Sequence, residues 1–341
     1  MMTTIRDIAE LAGVSRGTVD RVLNNRGSVN EKTAEKVRAI AEALDYHPNR
    51  AGMALAAQKK KYKIGVILFS ESNPYFDQVM EGVRAKAAEL AEYGIATSAR
   101  RVEFDTEAQL AAIRELREEG IHGLMLAPYN DPRIREEIDR LSEAGIPAVT
   151  VNTDIEGSRR IAYVGSDYYA GGRVAAGLLS LMTEGEVPLG VITGSPHVLC
   201  HTERVRGLRE TLAVSCPRIR IANIRENHDD EITSYNETRS LLREHPEIRA
   251  LFFAAAGVAG GCRAAEESGR PLKIVTFDEV PSTVALLKRG VISATISQQP
   301  RRQGARSLEI LFDALTTGEL PEAPEQFVEH AIRIRENIQP D

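Results

Sequence analysis

The sequence of 341 residues has no tryptophan, only three cysteines and no long apolar run. An odd number of cysteines without motif spacing, at positions 200, 216 and 262, argues against a disulfide framework. No stretch approaches the roughly 18 consecutive apolar residues of a membrane span, so we expect no transmembrane helix. The N-terminus also lacks an apolar leader, which predicts a cytoplasmic protein.

Several sequence motifs of common enzyme classes are also missing. The sequence contains no GxGxxG, no Walker loop and no HExxH. His197, Cys200 and His201 are close enough in sequence to suggest a metal site, but no second cluster completes a tetrahedral set of ligands. We therefore predict no catalytic residue, no metal and no cofactor, and a protein that is not an enzyme.

Charge is distributed unevenly along a chain of ordinary globular composition, with 43% hydrophobic and 27% charged residues. Residues 1–63 carry 12 basic and 7 acidic side chains, whereas the remainder carries 31 basic and 42 acidic ones. A basic head on an acidic body is typical of a protein whose first segment meets phosphate groups.

The first 44 residues have the pattern of three short helices. Ile5 and Ile8 begin an apolar stripe at helical spacing, Gly13 can end that helix in the left-handed conformation, and Ser15 can cap the next. A third helix is predicted from about Asn30 to Leu44. Two short helices joined by a tight glycine turn, followed by a third helix, indicate a helix-turn-helix, whose second helix enters the DNA major groove.

The exposed side of the second helix supplies the candidate DNA contacts. We expect Arg16 and Arg21 to contact bases or phosphates, because bidentate arginine on guanine is the commonest specific contact. Thr18 is a candidate phosphate contact. The alternative is a solvated helical cap with ordinary surface arginines. The full predicted set in this segment is Ser15, Arg16, Gly17, Thr18, Arg21 and Asn24.

From Tyr62 onward, buried strands alternate with helices. The segment 63–69 is a strand, residues 74–93 form a helix, and the alternation continues to a strand at 293–297. About nine such units exceed one sheet, which predicts two doubly wound lobes of parallel sheet covered by helices. Ligand sites in such sheets lie beyond the carboxyl ends of the strands.

Two motifs in the head resemble the LacI/GalR family of bacterial repressors. The run Ile5 to Val19 is similar to the opening of that family, and Tyr46 to Asn49 matches its Tyr-x-Pro-Asn. The resemblance implies that the segment to Lys61 contains a hinge, which becomes a short helix on operator DNA and places a leucine in the minor groove. The matching residue is Leu55, and such a wedge kinks the duplex. Asn49 and Arg50 are further candidate DNA contacts; the alternative is a loose linker.

The body resembles the ribose-binding type of periplasmic sugar-binding protein, which also forms the effector core of LacI/GalR repressors. The resemblance implies that the ligand lies between the lobes and that the chain crosses between them near Ser166, Gln298 and Val328. Asn73 can also be read as a helix cap, Arg204 as a surface charge and Asp278 as a turn residue. The effector-binding residues that we predict are Asn73, Tyr75, Phe76, Asn152, Thr153, Arg204, His228, Asp278 and Gln298.

One segment departs from the pattern of this family. After the strand that ends at Phe253, a polar pair usually touches the ligand, but here Ala254, Ala255 and Ala256 precede Gly257. We expect that wall of the cleft to be apolar or roomier. A simple ribose or galactose assignment therefore does not follow, and a larger, deoxy, methylated or phosphorylated ligand would fit as well.

The sequence thus predicts a small all-α helix-turn-helix domain followed by an α/β core of two doubly wound parallel-sheet lobes. We expect the domain at 1–47, the hinge at 48–62 and the core at 63–341, with lobe 1 at about 63–165 and 298–327 and lobe 2 at about 166–297 and 328–341. The predicted function is a homodimeric repressor that binds pseudo-palindromic operator DNA under control of a carbohydrate-like effector. The alternatives are a free-standing sugar-binding protein and a regulator with a non-sugar effector.

Overall fold

The structure is a computed structural model that describes residues 5–23, 29–44, 60–69, 73–103 and 105–338. In the described ranges, none of the helices has the length and apolar character that crossing a membrane requires. The three cysteines are buried and free.

The N-terminal segment folds into three helices: α1 (Ile5–Ala12), α2 (Arg16–Leu23) and α3 (Glu31–Ala43). Ile8, Val19 and Val37 have no exposed surface and form the centre of their small core. Gly13 has φ +69°, the left-handed conformation that ends α1, because glycine has no Cβ to clash there. The predicted turn between the first two helices is therefore confirmed.

Lobe 1 contains a six-stranded parallel sheet. Its strands in chain order are β1 (Lys63–Phe69), β2 (Ala96–Val102), β3 (Gly123–Leu126), β4 (Ala148–Val151), β5 (Ala162–Gly165) and β11 (Glu325–Phe327). They lie in the order β11-β5-β4-β3-β1-β2. The helices on its faces are α4 (Pro74–Ala91), α5 (Thr106–Glu118), α6 (Pro132–Glu143) and α12 (Pro300–Thr316). β1, β3 and β4 are almost entirely buried, as expected for strands covered on both faces.

Lobe 2 repeats this plan. Its strands are β6 (Val187–Thr193), β7 (Ile219–Glu226), β8 (Ala250–Phe253), β9 (Lys273–Phe277), β10 (Ala294–Ser297) and β12 (Ala331–Arg333), in the order β12-β10-β9-β8-β6-β7. The edge strand β12 is antiparallel to β10, and the other pairs are parallel. The helices are α7 (Tyr168–Met182), α8 (Leu199–Ser215), α9 (Glu231–Glu244), α10 (Val258–Glu267) and α11 (Pro281–Lys288), and a 3-10 turn follows at Arg335–Asn337.

The chain passes between the two sheets three times: between β5 and α7, between β10 and α12, and between β11 and β12. The two lobes are therefore joined by three connections. The predicted fold class, a helical head followed by two lobes of mostly parallel sheet, is confirmed.

One helix crossing in each lobe depends on glycine. A Cβ on Gly82 in α4 would lie 1.9 Å from the carbonyl oxygen of Arg301 in α12, and a Cβ on Gly172 in α7 would lie 2.1 Å from that of Arg204 in α8. Both distances are far below a possible contact, so only glycine permits these backbones to meet. The second crossing places the backbone of Arg204 directly against α7, next to the cleft between the lobes.

Candidate functional site

The first candidate site is the exposed side of α2. Ser15 caps this helix, because its Oγ accepts the N–H of Thr18 at 3.1 Å and lies 2.9 Å from Thr18 Oγ1. Arg16, Gly17 and Arg21 are exposed, and Arg21 Nε donates to the carbonyl of Gly17 at 3.0 Å. Two cations and two hydroxyl groups thus occur together on one helix, as a surface for a phosphate backbone requires.

The remaining residues predicted to contact DNA, namely Asn24, Asn49, Arg50 and Leu55, lie outside the described residues.

The second candidate site is the cleft between the lobes, at the carboxyl ends of the strands. Left-handed non-glycine residues gather there: Asn152 after β4 (φ 64°), His228 and Asp229 after β7 (52° and 60°), Asp278 after β9 (73°) and Gln299 after β10 (50°). This conformation costs a non-glycine residue about 1–2 kcal/mol. Strain of this kind concentrates where side chains must be aimed at a ligand.

Lobe 1 contributes two aromatic rings to the cleft. Asn73 caps α4 by accepting the N–H of Tyr75 at 3.0 Å, and Pro74 occupies the first turn, so the helix starts in a defined orientation. The buried rings of Tyr75 and Phe76 then meet edge to face with centroids 5.4 Å apart. Tyr75 OH has no hydrogen-bond partner, which leaves one polar atom facing the cavity.

Lobe 2 contributes Arg204, a guanidinium with only 3% exposure. Its Cζ atom lies 3.9 Å from the ring centroid of Phe277 and 4.8 Å from that of Tyr168, and Nη1 donates to the carbonyl of Ala254 at 2.7 Å. Arg204 Nε has no partner. A cation held between two rings with a donor still available is suited to bind ligand oxygen atoms.

The carboxylate of Asp278 interacts electrostatically with this arginine. Its Oδ1 accepts from Gln298 Nε2 at 2.6 Å, and Gln298 Oε1 has no partner. Burial raises the pKa of Asp278 to about 6, although the charge of Arg204 and the Gln298 hydrogen bond act in the opposite direction. The negative charge of Asp278 and its left-handed backbone conformation are therefore both energetically unfavourable.

Seven of the nine predicted effector residues line one cavity: Asn73, Tyr75, Phe76, Asn152, Arg204, Asp278 and Gln298. Two do not line it. Thr153 is fully buried behind it, and His228 is exposed while the next residue, Asp229, faces the cavity. The other lining residues that sequence reasoning missed are Val198, Cys200, His201 and Asp229. They lie in a loop and a helix start without a motif, so only the fold brings them together.

The wall formed by Ala255 and Ala256 is apolar, as expected from the three consecutive alanines. The cavity is not roomier, however, because its volume of about 20 Å³ is enough for roughly one water molecule. A ligand the size of a monosaccharide needs this space to expand.

The two lobes also touch at the mouth of the cleft. His197 stacks on Tyr129 with ring centroids 5.6 Å apart, and its carbonyl accepts the N–H of Asn130 at 3.1 Å. Gln78 Nε2 donates to the carbonyl of Glu279 at 3.0 Å. We call the Tyr129–His197 stack and the Asn130 hydrogen bond the latch.

In the described part of the chain, no three His, Cys, Asp or Glu side chains come together as a metal site would require.

Comparisons with known proteins match the head and the body of the chain to different protein families. The model of the bacterial regulatory proteins of the lacI family matches residues 4–49, and that of a periplasmic binding protein domain matches residues 64–320. The ribose operon repressor of Halalkalibacterium halodurans is 30% identical over 88% of this chain and 86% of its own length. The HTH-type transcriptional regulator CelR of Thermobifida fusca is 27% identical over 98% of each chain.

A solved structure of a sugar-binding protein matches most of this chain. GanP, a glucose-galactose binding protein from Geobacillus stearothermophilus, superposes with a TM-score of 0.75 at 25% identity and covers 81% of this chain and 98% of its own. The body thus has the fold of a sugar-binding protein, while the N-terminal helices match a family of regulators.

Proposed function

Since this chain belongs to the LacI family of bacterial regulatory proteins and is a DNA-binding transcription regulator, we propose that it represses an operator under the control of a small carbohydrate bound between its lobes. The family is one of regulators, not of enzymes. A free-standing sugar-binding protein would not need the helix-turn-helix, so that alternative is not favoured. The proposal adds the effector, its site and its coupling to DNA.

The observation that supports a carbohydrate effector is the mixture of groups in the cleft. Tyr75 and Phe76 offer apolar rings, while Arg204, Asp278 and Gln298 offer charged and amide groups with unsatisfied atoms. Buried polar atoms are nearly always hydrogen-bonded, so three unpartnered ones around one cavity indicate a site for an oxygen-rich ligand. A sugar has both an apolar ring face and hydroxyl groups.

On the DNA side, we propose that Arg16 and Arg21 reach base edges or phosphates from α2, with Ser15, Gly17 and Thr18 against the backbone. Asn24, Asn49 and Arg50 complete the contacts in this proposal, and Leu55 enters the minor groove as a wedge. The exposed arginines and the capping hydroxyl pair of α2 support the first part. The contacts beyond α2 rest on the sequence resemblance.

We propose further that the working unit is a cytoplasmic homodimer, because two recognition helices are needed to read two half-sites. The open edge of β2 and the adjoining groove, lined by Met80, Val83 and Ala87 together with the charged Asp77, Arg84 and Arg101, offer a surface of mixed character for a second copy. Sedimentation equilibrium tests this point: the expected mass is that of two chains, and a monomer at micromolar concentration contradicts it.

The ligand proposal is tested by thermal unfolding of the full chain with D-ribose, D-arabinose, D-glucose, D-galactose and myo-inositol. A ligand at 100 times its dissociation constant adds about 2.7 kcal/mol to the free energy of unfolding, which is readily measured. The stabilisation should disappear in Asp278→Asn and persist in Glu226→Gln, which removes an exposed carboxylate outside the cavity. A sugar that stabilises all three proteins equally would place the site elsewhere.

The proposed control of DNA binding by the ligand is tested with a DNA duplex that the full chain has selected from a random pool. Adding the stabilising sugar should change the affinity for the selected duplex, whereas the same sugar should have no effect on the Asp278→Asn protein. An unchanged affinity in the wild-type protein would contradict control by that ligand.

A further inference from the structure

The loop between β7 and α9 brings a carboxylate into the cleft. Asn227, His228 and Asp229 follow β7, and Asp230 caps α9 through the N–H of Thr233 at 2.7 Å. His228 and Asp229 are both in the left-handed region, which is unfavourable for two consecutive non-glycine residues. This conformation leaves His228 exposed and turns Asp229 towards the cavity.

Hydrogen bonds to the segment after β8 hold the loop in this conformation. The buried Asn227 donates from Nδ2 to the carbonyl of Ala256 at 2.7 Å and accepts the N–H of Asp229 at 3.0 Å. Asp229 Oδ1 in turn accepts the N–H of Ala256 at 2.8 Å. The orientation of the carboxylate is therefore fixed by backbone groups of the alanine wall.

The second oxygen of Asp229 retains acceptor capacity on the cavity side. Its nearest cation is Nε2 of His201 at 3.7 Å, which is longer than a hydrogen bond. Three buried polar atoms that line the same cavity have no hydrogen-bond partner: Tyr75 OH, Arg204 Nε and Gln298 Oε1. Ligand hydroxyl groups could satisfy these atoms and the free lone pairs of Asp229 together.

His201 is held in place as the counter-ion of Asp229. Its side chain is 7% exposed, and Nδ1 lies 3.3 Å from the carbonyl oxygen of Ser195. A Cβ on Gly194 would lie 2.3 Å from Cε1 of the ring, so glycine is required there for the ring to fit. Burial lowers the pKa of His201, but the nearby Cys200 and Asp229 raise it further, to about 9. The Asp229 carboxylate, 3.7 Å from Nε2, favours the protonated form of the ring.

Two pairs of oppositely charged side chains line the cavity. Asp278 interacts electrostatically with Arg204, and Asp229 lies 3.7 Å from Nε2 of His201. A phosphate or carboxylate group would enter beside two carboxylates without a spare cation, which is unfavourable in a buried site. Hydroxyl groups can donate to the carboxylates and accept from the cations without changing the net charge.

We infer that Asp229 binds the effector directly and that the Asp229–His201 pair makes the cleft select a neutral polyhydroxylated ligand over a phosphorylated or carboxylated one. This inference rests on the proposed carbohydrate function and adds to it a residue and a ligand class. The pair, formed between α8 and the β7–α9 loop, would disfavour the binding of anionic ligands.

The test compares matched neutral and charged probes by calorimetry on the full chain. D-ribose, D-glucose and D-galactose form the neutral set, and D-ribose 5-phosphate, D-glucose 6-phosphate and D-galacturonate form the anionic set. The wild-type protein should bind a neutral probe more tightly than its anionic counterpart. Asp229→Asn should weaken neutral binding about 10- to 100-fold, the value of a hydrogen bond to a charged group.

A change of selectivity separates recognition from a purely structural effect. Asp229→Asn leaves His201 as an uncompensated cation and should shift the preference towards the anionic probe, while His201→Gln should shift it further away. Glu226→Gln, an exposed carboxylate at the end of β7, is the control and should match the wild-type protein in both sets. Circular dichroism verifies that each variant is folded.

Three other results of these binding experiments would each contradict one part of the inference. Equal losses for both probe sets in Asp229→Asn, or no loss, would overturn direct binding by Asp229. Tighter binding of an anionic probe by the wild-type protein would overturn the selection of neutral ligands. If no probe of either set binds, the carbohydrate function itself fails, and the inference fails with it.

Discussion

Replacing Asp278 by asparagine should stabilise the ligand-free protein, because this carboxylate is buried at a free-energy cost. Burial raises its pKa from an ordinary 3.8 to about 6. A carboxyl group whose pKa is raised on folding contributes its full stability below pH 3.8 and loses it as the pH rises through 6. With about 1.4 kcal/mol per pKa unit, the loss approaches roughly 3 kcal/mol at pH 7.5.

Asparagine has nearly the same shape as aspartate and keeps an oxygen that can accept the 2.6 Å hydrogen bond from Gln298. Asp278→Asn removes only the buried charge and should therefore recover most of this free energy. The expected gain is about 2–3 kcal/mol at pH 7.5 and close to zero at pH 4, where the wild-type carboxyl is protonated in the folded protein. The same substitution removes the acceptor for a ligand hydroxyl, so the stabilised variant should no longer respond to effector.

Urea unfolding of both proteins at pH 4, 5.5 and 7.5 measures this difference. Other titrating groups, including His201, are common to the two proteins and cancel when their free energies are subtracted. Glu226→Gln, which removes an exposed carboxylate outside the cavity, is the control for the loss of one carboxylate elsewhere in lobe 2. A variant that is less stable than wild type at pH 7.5, or a difference that does not grow with pH, would refute the reasoning.

Three further predictions concern DNA binding and lobe closure. Arg16→Ala should weaken binding to the selected duplex by about 10-fold or more, as loss of a base contact worth about 1–3 kcal/mol requires, and unchanged affinity in a shift assay would place the contact elsewhere. Leu55→Ala should reduce operator affinity and DNA bending while the Kd for sugar stays the same; normal bending would exclude the wedge. His197→Ala removes the stack on Tyr129, worth about 0.5–1.5 kcal/mol, which holds the lobes around a cavity too small for a sugar. Calorimetry should therefore show sugar binding tightened by about 2- to 10-fold, and weaker binding would contradict a latch that excludes the ligand.

The elements with strong apolar periodicity could be predicted from the sequence. Elements that form only because they pair with a neighbouring strand could not. β1 is an almost continuous apolar run, and the sequence indicates it directly. β2 has no such run, since most of its residues Ala96–Val102 are small or polar and none is buried. They become a strand because they pair with β1 along its whole length. α12 is amphipathic, but its place in lobe 1 depends on the close approach between Gly82 and Arg301, which periodicity does not encode.

The residues of the candidate site also divide into those that the sequence predicts and those that only the folded structure reveals. Asp278 and Gln298 could be predicted because each ends or follows a short buried strand, and the carboxyl ends of parallel strands share one edge. Asp229 could not, because its direction depends on two successive left-handed residues stabilised by a side chain, Asn227, that itself has no motif. His201 pairs with a residue 28 positions away through packing against Gly194.

The unfavourable features of the body are concentrated in the cleft, and their location has a consequence for regulation. Left-handed residues, a carboxyl with a raised pKa and unpartnered polar atoms meet around a cavity of about 20 Å³. Pockets for small molecules usually measure about 300–1,000 Å³, so a sugar cannot enter while the latch holds the lobes together. Binding therefore has to change the separation of the lobes or their packing.

In the proposed mechanism, such a change reaches the DNA-binding head through the connectivity of the chain. Lobe 1 begins at β1, directly after the hinge segment, whereas Arg204, Asp278 and Asp229 belong to lobe 2. A ligand that rests on Tyr75 and Phe76 of lobe 1 and on these charges of lobe 2 interacts differently with open and closed lobes. A difference in affinity between two conformations is what an effector needs to shift their populations, so the proposed coupling to DNA follows from the position of the site between the lobes.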